Sequence, residues 1–285
     1  MDPRQSRFVV AAPLTILAST SAGGEGLRAD AEDLECMVEA AEIMRACRRE
    51  LAAKAGGIIA EATEGAAAVE DWRHYPEGEA YDPHSHAQYF YHRHPAAVRA
   101  AGEHGHFHTF LRAEGMPEAI PLLLPEIAVA NAPAPAPQGA PLQRGSRSEV
   151  CHLVAVAVDP RGEPVGLFTT NRWVTGETWY RADDVLAMLD RFTLARGALC
   201  DRWLGAILAL FRREIAQVLR QRDETVMGWR RRRRAHVFED PRLEICSSIA
   251  IDVDAQLARV ERAFREGRPA AARRPRLPPM AEGWG

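Results

Sequence analysis

The chain has 285 residues, 47% of them hydrophobic, which is enough to bury a sizeable core in one large domain or two small ones. Its formal charge of −3 and isoelectric point near 6.4 argue against nucleic acid or a membrane surface as its main partner. Its five cysteines form no CxxC pair, which favours reduced thiols and a cytoplasmic protein.

The start of the chain predicts an arm followed by helices. Residues 8–18 form an apolar run similar to that of a secretory signal peptide, but Asp2 and Pro13 fit the pattern poorly. We therefore predict an N-terminal arm over residues 1–29. Between residues 30 and 55 apolar side chains recur at helical spacing, and the glycine pair that follows is typical of a helix end.

Histidine then recurs at every second position in short segments. Seven of the ten histidines lie between residues 84 and 108, all at even-numbered positions. Strand side chains alternate between two faces, so strands over residues 86–94 and 104–112 each carry histidine on one face. The opposite face carries Tyr89, Tyr91, Phe107 and Leu111. The short connection between the strands favours an antiparallel hairpin.

The remaining segments add turns, strands and helices. Residues 72–78 are turn-rich, and residues 116–149 predict a long surface excursion because proline and alanine dominate them. The later pattern predicts strands at 152–158 and 165–170, helices at 184–192 and 199–228, a strand at 243–253 and a helix at 255–264. Beyond residue 267 the composition is typical of a disordered tail.

Together these elements predict one α+β domain over residues 30–266, followed by a tail over residues 267–285. An antiparallel β-meander of four to six strands packs against N- and C-terminal helices. Residues 30–70 are helical, residues 72–182 are β-rich, and residues 183–266 are helical with a late strand. The histidine face lines a cleft opposite the helices, or a pocket between the sheet and a loop.

The hairpin histidines are candidate metal ligands: His92, His94, His104, His106 and His108. Histidines two residues apart on a strand share a face, with Cα atoms about 7 Å apart. A neighbouring strand can supply a further imidazole to the same ion. Imidazole ligands suit Zn, Fe or Cu better than Mg or Ca. The alternative is that these histidines coat a solvated sheet face or form hydrogen bonds within a polar core.

Further polar residues are assigned roles around this cluster. Glu103, at a loop end, is the candidate catalytic base, or else a carboxylate ligand. Asn171 and Arg172 follow a strand and can bind a carboxylate or phosphate, and Tyr91 is the third candidate for substrate binding. The alternative at this turn is that Arg172 stacks on a tryptophan. His152 reaches the cluster only if its strand pairs beside the hairpin.

Several strings of residues are distinctive: HYP at 74–76, YD at 81–82, YHRHP at 91–95, EHGHFHTFLR at 103–112 and LFTTNRWVTGETW at 167–179. In these strings the chain resembles an uncharacterised bacterial family defined only as a domain of unknown function. The resemblance runs from about residue 30 to 255. It implies a bacterial, cytoplasmic protein and carries no activity or residue roles.

The residues alone predict a metal-dependent enzyme, hydrolytic or oxidative, that acts on a small molecule and not on nucleic acid or a membrane. Two other classes stay open. One is a non-catalytic metal- or ligand-binding protein. The other is a protein-interaction module that uses the tryptophan- and arginine-rich turns. The oligomeric state is not indicated by the sequence.

Overall fold

Six strands form one antiparallel sheet whose spatial order follows the chain, β1 to β6. The strands are β1 Tyr75–Tyr81, β2 Ala87–His92, β3 Gly105–Arg112, β4 Val150–Val158, β5 Pro164–Thr170 and β6 Ile245–Ala250. β2 and β3 are the predicted hairpin, and β4 pairs beside β3. The predicted α+β class with an antiparallel meander is confirmed.

The structure is a computed structural model that describes residues 31–118, 120–124, 150–233 and 236–267. The predicted N-terminal arm, most of the proline- and alanine-rich excursion and the predicted tail after Gly267 lie outside the described residues. Near the start of that excursion, Leu122 forms an isolated bridge to Tyr180.

Seven α-helices lie within the described residues: α1 Ala31–Ala52, α2 Gly57–Ala62, α3 Arg172–Thr175, α4 Ala182–Met188, α5 Leu199–Leu210, α6 Arg212–Arg232 and α7 Val253–Gly267. α1 packs on α5 and α7, and α6 packs on β5 and β6. The predicted continuous helix over 199–228 is wrong, because Phe211 leaves helical geometry between α5 and α6. The Phe211 side chain is fully buried in the core at the point where the two helices meet. None of these helices combines the length and apolar character needed to cross a bilayer.

The alternation of β2 and β3 separates an apolar face from a histidine face. Tyr89, Tyr91, Phe107 and Leu111 all lie in the core between the sheet and the helices, as predicted. The Phe107 ring lies 5.3 Å from that of Trp203 on α5. Each such side chain contributes about 1.5–3 kcal/mol on burial. This packing fixes the direction of the histidines within β2 and β3, His92, His106 and His108, which point away from the helices.

The turn-rich interpretation of residues 72–78 needs correction, because β1 begins at Tyr75. Tyr75 pairs with Tyr91 and Ala80 pairs with Tyr89, so the register shifts between them. Residues 76–79 therefore form an irregular stretch inside the strand. An edge strand tolerates proline, since the missing N–H faces away from the ladder.

A second irregularity determines which face of β4 meets the histidines. Thr109 pairs with Val154, whereas the next residue, Phe110, pairs with His152. Leu153 is the additional residue of a β-bulge, which reverses the alternation beyond it. His152 consequently lies on the histidine face, while Leu153 is buried in the helix-covered core.

We predict that Phe107→Ala lowers the free energy of unfolding by about 3–5 kcal/mol, because it removes a fully buried ring from this core. Urea unfolding followed by circular dichroism measures the change. The control is Phe264→Ala at a 39% exposed position, which should change stability by less than about 1 kcal/mol. Equal losses in both variants would contradict the assignment of Phe107 to the core.

Candidate metal centre

Three histidines converge on the face of the sheet opposite the helices. His92 on β2 and His106 on β3 are direct cross-strand partners, and His94 follows β2 by two residues. Their ligand nitrogens all lie within 4.8 Å of one another. All three side chains are buried. Among the described residues, this is the group of histidine, cysteine or acidic side chains that can hold a metal ion.

The imidazole nitrogens fit a metal ion after a small adjustment. The Nε2 atoms of His92 and His106 lie 2.6 Å apart. Two ligands of a tetrahedral zinc ion, each at 2.0–2.1 Å, stand about 3.3 Å from one another. The rings would therefore separate by less than about 1 Å on binding, which rotation of the side chains can supply.

Glu103 determines which nitrogen of His106 is free. Its Oε1 lies 2.6 Å from Nδ1 of His106, and its side chain is 1% exposed. A carboxylate at this distance holds the proton on Nδ1, so Nε2 keeps its lone pair for a ligand role. Glu103 thus lies behind the ring and does not line the cavity. This position does not support the predicted role of Glu103 as catalytic base. It supports a role in orienting His106.

His108 and His152 extend the cluster toward β4. Nδ1 of His108 lies 3.0 Å from Nε2 of His152, and Nδ1 of His152 lies 3.9 Å from Oε1 of Glu177. The second distance is too long for a hydrogen bond. The ring of His108 lies 4.9 Å from that of His106 but is not a member of the converging group. His108 therefore borders the three histidines and contacts His152.

Burial keeps these imidazoles neutral. Desolvation lowers the pKa of His94 and of His152 to about 3, and it lowers the pKa of His92 and of His108 well below the usual value. Burial also raises the pKa of Glu177 to about 7. Neutral imidazoles carry the free lone pairs that a metal ion requires.

The histidines open into a cavity of about 580 Å³. Its walls are formed by His74, His92, His94, His106, His108, Trp72, Phe168, Thr170, Trp173, Val174, Glu239, Pro241, Glu244 and Ile245. On β4, small residues stand opposite the histidines, since Ala157 pairs with His106 and Ala155 with His108. These small side chains leave the imidazoles room on the sheet.

The structure places two predicted residues outside this cavity. The ring of His104 is nearly parallel to that of Tyr91, and its Nδ1 lies 2.5 Å from the Tyr91 hydroxyl. Tyr91 is fully buried on the helix side of the sheet. His104 precedes β3, so the alternation of the strand does not control its direction. Neither His104 as a ligand nor Tyr91 as a substrate contact is supported by this arrangement.

Asn171 and Arg172 also lie behind the cavity wall. The Asn171 side chain accepts a hydrogen bond from the N–H of Arg172, caps α3 and donates to the carbonyl of Val237. Arg172 donates to Oε1 of Glu239 and lies over the ring of Phe238. These contacts hold the wall in place and leave little of either side chain for a substrate.

Sequence reasoning missed the acidic and tryptophan side chains of the wall. Glu239, Glu244 and Trp173 come from segments far along the chain from the histidines, and Trp72 precedes β1. The Trp72 ring lies 4.3 Å from that of His94. No spacing rule links these positions, because contacts between distant segments bring them together.

The chain belongs to the family described as a domain of unknown function (DUF6969), whose model matches residues 38–251. This agrees with the resemblance found in the motifs at the level of a domain of unknown function. No curated protein and no solved structure matches the chain.

We predict that the metal-free protein loses stability as the pH falls from 7 to about 5. Histidines whose pKa is lower in the folded state bind protons only on unfolding, so each costs about 1.4 kcal/mol per pH unit below about 6.5. Glu177 has the opposite slope, because its raised pKa favours the folded state as the pH falls. The four histidines outweigh it. Urea unfolding after chelation measures the net loss.

His94→Gln should reduce this pH dependence by about 1.4 kcal/mol per pH unit. The matched control is His84→Gln at an exposed histidine outside the cluster, which should leave the dependence unchanged. A free energy of unfolding that stays constant across this range would show that the buried imidazoles accept protons without cost.

Proposed function

We propose that this protein is a metal-dependent enzyme that acts on a small molecule, with His92, His94 and His106 as the ligands of one transition-metal ion. The observation that carries the proposal is the convergence of three buried imidazoles at the wall of a cavity. A cavity of about 580 Å³ is in the size range that takes a small-molecule ligand.

The number of converging ligands favours a catalytic site over a structural one. Structural zinc sites use four protein ligands, whereas catalytic sites use three and leave a position open. Among the described residues, three nitrogens converge, and the cavity lies beside them. A non-catalytic binding protein is the alternative, and a fourth protein ligand that closes the site would favour it.

The donor set favours zinc and hydrolysis over an oxidative reaction. Three neutral imidazoles are a known zinc ligand set, while non-haem iron oxygenases commonly use two histidines and a carboxylate. Iron and copper also accept imidazole ligands. When bound, such an ion supplies Lewis acidity.

The chain's own residues then orient and enclose the substrate. Glu103 holds the proton on Nδ1 of His106, and this hydrogen bond fixes the orientation of the His106 ring. Trp72, Phe168 and Trp173 give the cavity an aromatic wall that suits an apolar substrate body. Trp72 is 37% exposed, so it stands where the cavity meets solvent.

Protein purified without a histidine tag should contain about one zinc, iron or copper ion per chain, measured by plasma mass spectrometry. His106→Ala should abolish that metal content, because it removes the central ligand, while the circular dichroism spectrum stays native. His84→Ala is the matched control and should keep the metal. Wild-type protein that neither contains nor binds zinc, iron or copper would rule out the proposal.

Glu103→Gln should weaken zinc binding by roughly tenfold to a hundredfold, the usual effect of losing a carboxylate behind a metal-bound histidine. Glutamine retains the size of the side chain but not its charge. Competition with a chromophoric chelator measures the dissociation constant. Unchanged affinity would show that Glu103 does not orient His106.

A further inference from the structure

We infer that Glu244 is the general base of this site, and that the substrate is an uncharged ester or amide with an apolar body. The role of Glu244 rests on the proposed metal-dependent activity. It differs from the earlier expectation for Glu103, because Glu244 lines the cavity and Glu103 does not.

The backbone holds Glu244 at a defined point of the cavity wall. It immediately precedes β6, and its carbonyl accepts a hydrogen bond of 2.8 Å from the N–H of Asn171 at the end of β5. Asn171 is in turn anchored to Val237 through its side chain. Glu244 is half-buried and lines the same cavity as His106.

Two acidic residues line this cavity, and within the described part of the chain Glu244 is the one whose carboxylate has no ion-pair or hydrogen-bond partner. Glu239, the other acidic residue of the wall, is paired with Arg172 at 2.7 Å. Glu103 is bonded to His106, and Glu177 lies behind His152. An unpaired carboxylate beside a metal site is available to exchange a proton with a reacting molecule.

The electrostatics of Glu244 agree with that role. Burial raises the pKa of its carboxyl group. A carboxylate with a raised pKa is a stronger base than one of ordinary acidity.

The composition of the wall limits the substrate. Among the described residues that line the cavity there is no lysine or arginine, and the aromatic side chains cover much of it. A phosphate or carboxylate on the part of the substrate that lies away from the metal ion would find no cationic side chain on these walls and would be repelled by Glu244. An uncharged compound with an apolar body fits these walls.

The reaction balances with water as the second reactant. Glu244 removes a proton from a water molecule while the water oxygen forms a bond to the carbonyl carbon and the π electron pair of the C=O bond moves onto the carbonyl oxygen. The C=O double bond then re-forms as the bond from that carbon to the leaving oxygen or nitrogen breaks, and the leaving atom takes the proton from Glu244. One water is consumed, the carboxylate is regenerated, and no oxidant is needed.

Acetohydroxamate is the probe for this inference, since it binds a zinc ion and gives its hydroxyl proton to a neighbouring base. Zinc-loaded, full-length protein is titrated with it by calorimetry. Glu244→Gln should weaken binding by roughly tenfold or more, because a charge-assisted hydrogen bond is lost. The matched control is Glu35→Gln, which alters an exposed carboxylate on α1 outside the cavity wall, and its affinity should stay close to wild type.

The zinc content of each variant separates the two proposals. If wild type binds no zinc, the proposed function fails first. If zinc binds but acetohydroxamate binds equally to wild type and Glu244→Gln, or does not bind wild type, the role of Glu244 is overturned and the metal site stands. Equal weakening in both variants, or loss of zinc in Glu244→Gln, also overturns that role.

Discussion

The alignment of His92 with His106 across β2 and β3 is the constraint on which the candidate site depends. The ladder sets this register, and the burial of Tyr91 and Phe107 against the helices maintains it. A slip by one residue would turn the imidazoles into the apolar core and the aromatic rings into the cavity. The apolar packing on one face of the sheet therefore controls the polar geometry on the other.

The same arrangement is costly to the metal-free protein. Burial lowers the pKa of several imidazoles, and Oε2 of Glu103 is buried without a hydrogen-bond partner. A buried polar atom without a partner costs about 1–3 kcal/mol. A ligand that binds only the folded state offsets such a cost. A cluster that weakens the fold but holds three lone pairs together is better explained by binding than by stability.

Two residues that are typical of substrate anchors in the sequence support the cavity from behind. The N–H of Asn171 bonds to the carbonyl of Glu244, and the guanidinium of Arg172 bonds to Glu239. Asn171 and Arg172 thus each hold one acidic residue of the cavity wall. The histidines of the same cavity come from a distant part of the chain. In the structure these contacts, and not contacts exposed to the cavity, occupy the asparagine and the arginine that follow β5.

The sequence by itself determined the histidine hairpin, its pairing and its apolar reverse face, because the alternation of side chains along a strand is local. The sequence did not reveal the strand that contains Pro76 or the face of the sheet on which the His104 ring lies. It also did not reveal the bulge at Leu153 that brings His152 to the cluster. The sequence also did not predict that Glu244 lines the cavity. Tertiary structure decided these points, since side-chain direction outside a regular ladder depends on contacts between segments far apart in the chain.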